Sequence, residues 1–127
     1  MLIRYGDEPQ LSQLSLACNT DEGGLFSNVQ AACALGLPTV ARCAPIAQGA
    51  IICGGGPSLA GTLESVRTLK ASGAKLYATN NTAEYLTRNG IRPDAQIVLD
   101  PRAQNIEFIG TQWAEELFLA SQCDPSL

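Results

Sequence analysis

Histidine is absent from the sequence. That removes Ser-His-Asp and Cys-His catalysis in their usual form, so acid–base work falls to carboxylates, Lys, Tyr, Cys or a metal-bound water. The five cysteines, at positions 18, 33, 43, 53 and 123, form no C-x-x-C pair, which excludes zinc and dithiol redox motifs on spacing. Cys53 stands in an apolar run and Cys33 in "VQAACALGL". Small buried thiols, reduced and structural, are expected at both, and with them a cytoplasmic setting. Basic runs are also missing. A net charge of −4 without clustered Lys or Arg gives no footprint for duplex nucleic acid, and no nucleic-acid partner is expected. A few backbone N–H groups and one or two cations can still hold a phosphate locally. No apolar run approaches the roughly 20 residues of a membrane span, and "MLIRYGDEPQ" has acidic residues where a signal peptide has an apolar region. No membrane partner is expected.

What the sequence does have is a composition of 46% hydrophobic and 16% charged residues over 127 positions, enough for one globular domain with its own core. Residues 1–45 read as a helical and irregular lead-in, and residues 46–127 as the main domain. In the lead-in, Gly23 and Gly24 argue against an early helix start at Thr20 or Asp21. Leu25, Val29, Ala32 and Cys33 then fall at helical spacing until Gly36 and Pro38 end the helix. "AIIC" has the character of a buried strand, and Leu59, Leu63, Val66 and Leu69 mark an amphipathic helix from Ser58 to Ala71. "KLYATN" is a second strand, "NTAEYLTRNG" a short helix capped by Asn80 or Asn81, "AQIVLD" a third strand and "ELFLASQ" a fourth. Alternation of strand and helix with short connections predicts an α/β, Rossmann-like open parallel sheet with flanking helices. A fourth strand without a covering helix leaves one face bare, so the chain is expected to be the N-terminal part of a larger domain, or to meet a second copy as a homo-oligomer.

Ligands of such sheets gather at the carboxyl ends of the strands. Three loops end there: "GGGPSL", "TNNT" and "DPRAQN". The first is neither a dinucleotide fingerprint, since Leu59 stands where the third glycine belongs, nor a Walker A loop. Its chemistry suits an anion all the same. Gly54, Gly55 and Gly56 let backbone approach closely, Pro57 suits a first helical turn, and Ser58 can cap or donate to phosphate. Of Asn80 and Asn81, one is expected to cap the helix and the other to face a base or ribose. Asp94 and Asp100 lie at opposite ends of a strand roughly 20 Å long and cannot form one catalytic pair. Only Asp100 is at the ligand end, where it can hold Mg²⁺ or accept a proton while Arg102 pairs with a phosphate oxygen. Arg92, Pro93 and Asp94 read as a structural turn. Ser121, Gln122 and Asp124 rank below Asp100 as site candidates, and Trp113 and Phe108 are expected to pack, with stacking on a base as the alternative.

Taken together, "GGGPSL", the Tyr-Ala-x-Asn strand end and "GIRPDAQIVLDPR" make residues 50–124 resemble the MptE-like family of 6-hydroxymethyl-dihydropterin diphosphokinases, which includes flagellar motility accessory factors. "NVQAACALGLP" and "LFLASQCDPSL" are similar to its phage-type members, and the glycine turn alone is similar to bacterial sialyltransferases. The resemblance implies diphosphoryl transfer from ATP to a hydroxyl acceptor, assisted by Mg²⁺. It implies phosphate contacts at Gly54, Gly55, Gly56, Pro57 and Ser58, with Asn80 at the second strand end and Asp100 on the metal. Where a diphosphokinase-like D-x-D would follow the third strand, this sequence has Asp100, Pro101 and Arg102. That departure brings in two alternatives: a glycosyltransferase using a nucleotide sugar, and a nucleotide-binding module without chemistry.

Overall fold

The structure, a computed structural model, describes residues 3–5, 8–10, 21–42 and 44–127. In chain order the elements are β1 (Ile3–Tyr5), β2 (Glu8–Gln10), α1 (Glu22–Ala34), β3 (Ala50–Cys53), α2 (Leu59–Ala71), β4 (Lys75–Thr79), α3 (Thr82–Arg88), β5 (Ala95–Val98), a 3-10 helix (Ala103–Phe108) and β6 (Glu116–Leu119). β1 and β2 form an antiparallel pair within a segment that reads as irregular. β3 to β6 form one all-parallel sheet, so the α/β Rossmann-like architecture is present with its flanking helices. The strand order is β3-β4-β5-β6, sequential from one edge to the other.

That order decides which face is covered. With right-handed crossovers, a sheet that grows in one direction puts each successive helix on the same side. Val66 of α2 and Leu86 of α3 accordingly share one core with Cys53, Leu76 and Ala78, and Ile51, Leu63 and Trp113 pack against its margin. A smaller cluster of Val98, Ile109 and Cys123 continues that layer under β6. The opposite face carries Ile52, Tyr77, Thr79, Ile97 and Phe118, none of them buried, and Ile52 is 73% exposed. Among the described residues no helix is long and apolar enough to cross a membrane.

Gly36, Gly73 and Gly90 all have positive φ and end α1, α2 and α3, the conformation for which a side chain is a liability. The start of α1 corrects the sequence reading. Asp21 is extended and its carboxylate accepts from the N–H groups of Gly23 and Gly24 at 2.8 and 3.1 Å, so capping overrides the cost of two glycines in the first turn. α1 has no buried residue, and the Asn28 side chain donates to the Gln122 carbonyl beyond β6 at 3.0 Å. Leu69 is exposed although it shares the apolar stripe of α2. Cys53 and Cys123 are free and buried, and burial pushes both thiols up. Cys33 is free but exposed, against expectation, because α1 turns that side outward. Cys18 and Cys43 lie outside the described residues.

Candidate functional site

A cavity of about 270 Å³ opens at the carboxyl edge of the sheet, lined by Asn80, Asn81, Val98, Asp100, Arg102, Asn105, Phe108 and Ile109. Four residues singled out in the sequence therefore meet: Asn80 and Asn81 after β4, Asp100 and Arg102 after β5. Because the strands are parallel, both loops emerge on the same edge and diverge there. Asp94, at the other end of β5, is far from them, as its place in the strand requires. Phe108, expected to pack or to stack on a base, lines the cavity with part of its ring exposed.

Neither asparagine caps α3 with its side chain. Asn80 adopts φ 47°, the left-handed conformation that Asn tolerates better than most residues, so it ends the strand and cannot take the extended geometry of a cap. Its N–H donates to the Ile97 carbonyl at 2.9 Å and its Oδ1 accepts from the Leu99 N–H at 3.4 Å, tying it to the end of β5. Asn81 holds the N-cap position, but with helical φ and ψ, and makes no capping bond. Its amide remains on the cavity wall.

Asp100 accepts from Arg102 Nε at 2.9 and 3.1 Å through its two oxygens, and from the Arg102 backbone N–H at 3.1 Å. The Arg102 guanidinium, helped by that N–H, holds the carboxyl at about 2 despite some burial, so it is ionised at neutral pH. Both partners sit on one short turn, two residues apart, and the guanidinium is well exposed.

The glycine turn borders this cavity without lining it. Gly54, Gly55 and Gly56 are exposed and none has positive φ, so a left-handed backbone is not what requires them. Close approach is. A Cβ at Gly55 would stand 3.3 Å from Thr82 Oγ1 and 3.8 Å from Asn81 Oδ1. The Leu59 N–H closes a turn on the Gly56 carbonyl at 3.1 Å, with Pro57 and Ser58 inside it. Ser58 is already helical and makes no capping bond, contrary to one expected role. Among the described residues, no loop hydrogen bond uses the N–H of Gly54, Gly55, Gly56 or Ser58. These donors lie at the N-terminus of α2, where partial positive charge favours an anion.

Two residues here escaped the sequence reading. Thr82 is 2% exposed, and among the described residues its hydroxyl has no partner, although it faces Gly55. Gln96 is wholly buried in β5 between Ala78 and Leu117, and a glutamine inside the apolar "AQIVL" was the available signal. The remaining candidates lie outside the cavity lining. Gln122 donates to the Leu99 carbonyl at 2.8 Å, and Asp124 accepts from the Ser126 N–H at 2.9 Å in the closing turn. Ser121 is exposed and does not line the cavity.

Among the described residues no group of three or more His, Cys, Asp or Glu gathers to hold a metal. One carboxylate beside neutral amides does not make a resident cation site. It does suit Mg²⁺ that arrives on a nucleotide, since that ion keeps its waters and takes one or two carboxylates together with phosphate oxygens.

The sequence model of the family described as "6-hydroxymethylpterin diphosphokinase MptE-like" matches residues 34–123. No curated protein and no solved structure matches the chain. The matched span runs from the end of α1 to the loop after β6 and contains the glycine turn and the whole cavity. The chain belongs to the MptE-like family.

Proposed function

We propose that this member of the MptE-like family is a nucleotide-dependent, diphosphokinase-like transferase whose pocket takes the triphosphate of ATP. The observation that carries the reading is the meeting of Asn80, Asn81, Asp100 and Arg102 in one cavity beside a turn with free N–H groups. Phosphoryl-type transfer asks the protein mainly to position the groups and neutralise charge, and those are the parts present. The N–H groups of Gly54, Gly55, Gly56 and Ser58 receive phosphate oxygens. Asp100 holds the Mg²⁺ that accompanies the nucleotide, an ion whose chemistry is to neutralise the phosphates, and Arg102 moves from Asp100 to a phosphate oxygen.

That exchange is cheap, because an exposed ion pair contributes about 0–1 kcal/mol. The acceptor hydroxyl oxygen forms its bond to the β-phosphorus, the bond from that phosphorus to the α–β bridging oxygen breaks, AMP leaves, and the hydroxyl proton passes to solvent. Amides on Asn81 and Asn105 and the Phe108 ring suit the edge and face of a flat heteroaromatic ring.

One observation favours a second reading, nucleotide binding without turnover: among the described residues, the cavity is lined by a single carboxylate and no other acid–base group apart from Arg102. A thermal-shift panel of ATP, GTP, CMP and UDP, each with and without Mg²⁺, tests both. A Mg²⁺-dependent shift with ATP and release of AMP with a hydroxyl acceptor support the transferase. A shift without AMP release supports the binding module, and a preference for CMP or UDP moves the reading to glycosyl transfer.

A further inference from the structure

The two walls of the cavity come from different crossovers and share one buried side chain. One wall is the Asn80–Asn81 turn after β4, and the other runs from Asp100 through the 3-10 helix to Ile109. Gln96 lies beneath both, 0% exposed. Its Nε2 donates to the Asn80 carbonyl at 2.8 Å and to the Phe108 carbonyl at 2.7 Å, and its Oε1 accepts from the Gly110 N–H at 3.4 Å. Both hydrogens of the amide are used, one per wall. Turning the amide over would set an oxygen against two carbonyls and an N–H against an N–H, so the partners fix its orientation.

An apolar residue is the ordinary occupant of this position, facing the helices between Ala78 and Leu117. A carboxamide there is tolerated only because it is satisfied. Its partners are not scattered through the core. Asn80 and Phe108 themselves line the cavity, and Gly110 directly follows Ile109, which lines it too. Among the described residues Asn80 is also the non-glycine residue with left-handed φ, and the carbonyl that Gln96 holds belongs to the peptide that aims Asn81 at the cavity.

We propose that Gln96 is the positioning residue of this pocket: without touching the ligand, it sets the separation and orientation of the Asn80–Asn81 turn against the Asn105–Phe108 wall. The proposal rests on the nucleotide reading above and adds to it a residue that acts through others. Rigid, hydrogen-bonded support of this kind determines whether a site is held in its productive geometry.

The test compares wild type with Gln96→Leu, which removes all three bonds, and Gln96→Asn, which keeps the amide but is one methylene too short to serve both walls. MgATP affinity is measured by calorimetry at a temperature where circular dichroism finds each variant folded. Exchange of the Gly110 N–H is measured by NMR without ligand, and Leu86→Ala serves as a variant of a buried core residue that does not line the cavity. The expected result is at least tenfold weaker MgATP binding in both Gln96 variants, at least tenfold faster Gly110 exchange in Gln96→Leu, and wild-type affinity in folded Leu86→Ala. Wild-type affinity in folded Gln96→Asn overturns the proposal, whatever its melting temperature. If wild type itself takes up no MgATP, the nucleotide reading fails first and the role of Gln96 in it fails with it.

Discussion

The two ends of β5 each carry an aspartate held at about 2, and they are held there for different reasons. At the amino end, burial alone would raise the Asp94 carboxyl, but the Leu76 N–H, Lys70 and Lys75 outweigh it. Those partners come from α2 and β4, at 2.7 Å for the N–H, 2.9 Å for Lys70 and 3.3 Å for Lys75. At the carboxyl end, Asp100 is satisfied by a neighbour two residues away on its own turn. Asp100 is tied only to its own turn and to Asn105 in the 3-10 helix that follows, whereas Asp94 joins α2, β4 and β5. The amino edge is therefore the anchored end of the sheet, and the carboxyl edge carries charges that can change partners.

Breaking the anchored end should have the largest effect. Asp94→Ala leaves the Leu76 N–H without its acceptor and two ammonium groups without a counter-charge, an expected loss of about 2–4 kcal/mol in urea unfolding with nucleotide affinity unchanged in the folded protein. The pH dependence has a defined sign. Because the folded carboxyl lies below the ordinary 3.8, its contribution is complete above that value and disappears as pH falls towards about 2. The contribution amounts to about 2 kcal/mol, so the stability gap between wild type and Asp94→Asn should narrow from pH 5 to pH 2.

At the exchangeable end the pattern inverts. Asp100→Asn should leave the melting temperature within about 2 °C, since an exposed pair contributes little, yet weaken MgATP binding at least tenfold, about 1.4 kcal/mol. Equal affinity would remove Asp100 from the site. The glycine turn sharpens the contrast further. A Cβ at Gly56 meets only Ser58 Oγ at 3.9 Å, so Gly56→Val should fold normally and lose several-fold in nucleotide affinity by obstructing phosphate. Smallest is Gly55→Ala, whose methyl presses on Thr82 Oγ1 at 3.3 Å and should cost about 1 kcal/mol or less in thermal unfolding.

The anchored half was more legible in the sequence than the site. "AIIC", "KLYATN", "AQIVLD" and "ELFLASQ" all contain observed strands, because apolar runs between glycine-marked helix ends have few other ways to be buried. The edge on which Asp100 belongs followed from parallel topology alone. What stayed hidden depends on conformations that composition does not encode. Asn80 and Asn81 read equally well as caps, and only the left-handed φ of Asn80 separates their roles. The 3-10 helix at Ala103–Phe108 lacks the length for a periodic signal, so "DPRAQN" read as a ligand-end loop without the helical wall that it begins. Gln96 was concealed by its strand, since a pattern of period two marks a face but not which polar member of it is bonded.

The Asp100–Arg102 pair has one more consequence, for the speed of encounter. Its charges sum to zero within one turn, so before a ligand arrives they offer little field beyond a few ångströms. Capture of a nucleotide then depends on short-range donors rather than on steering by this pair.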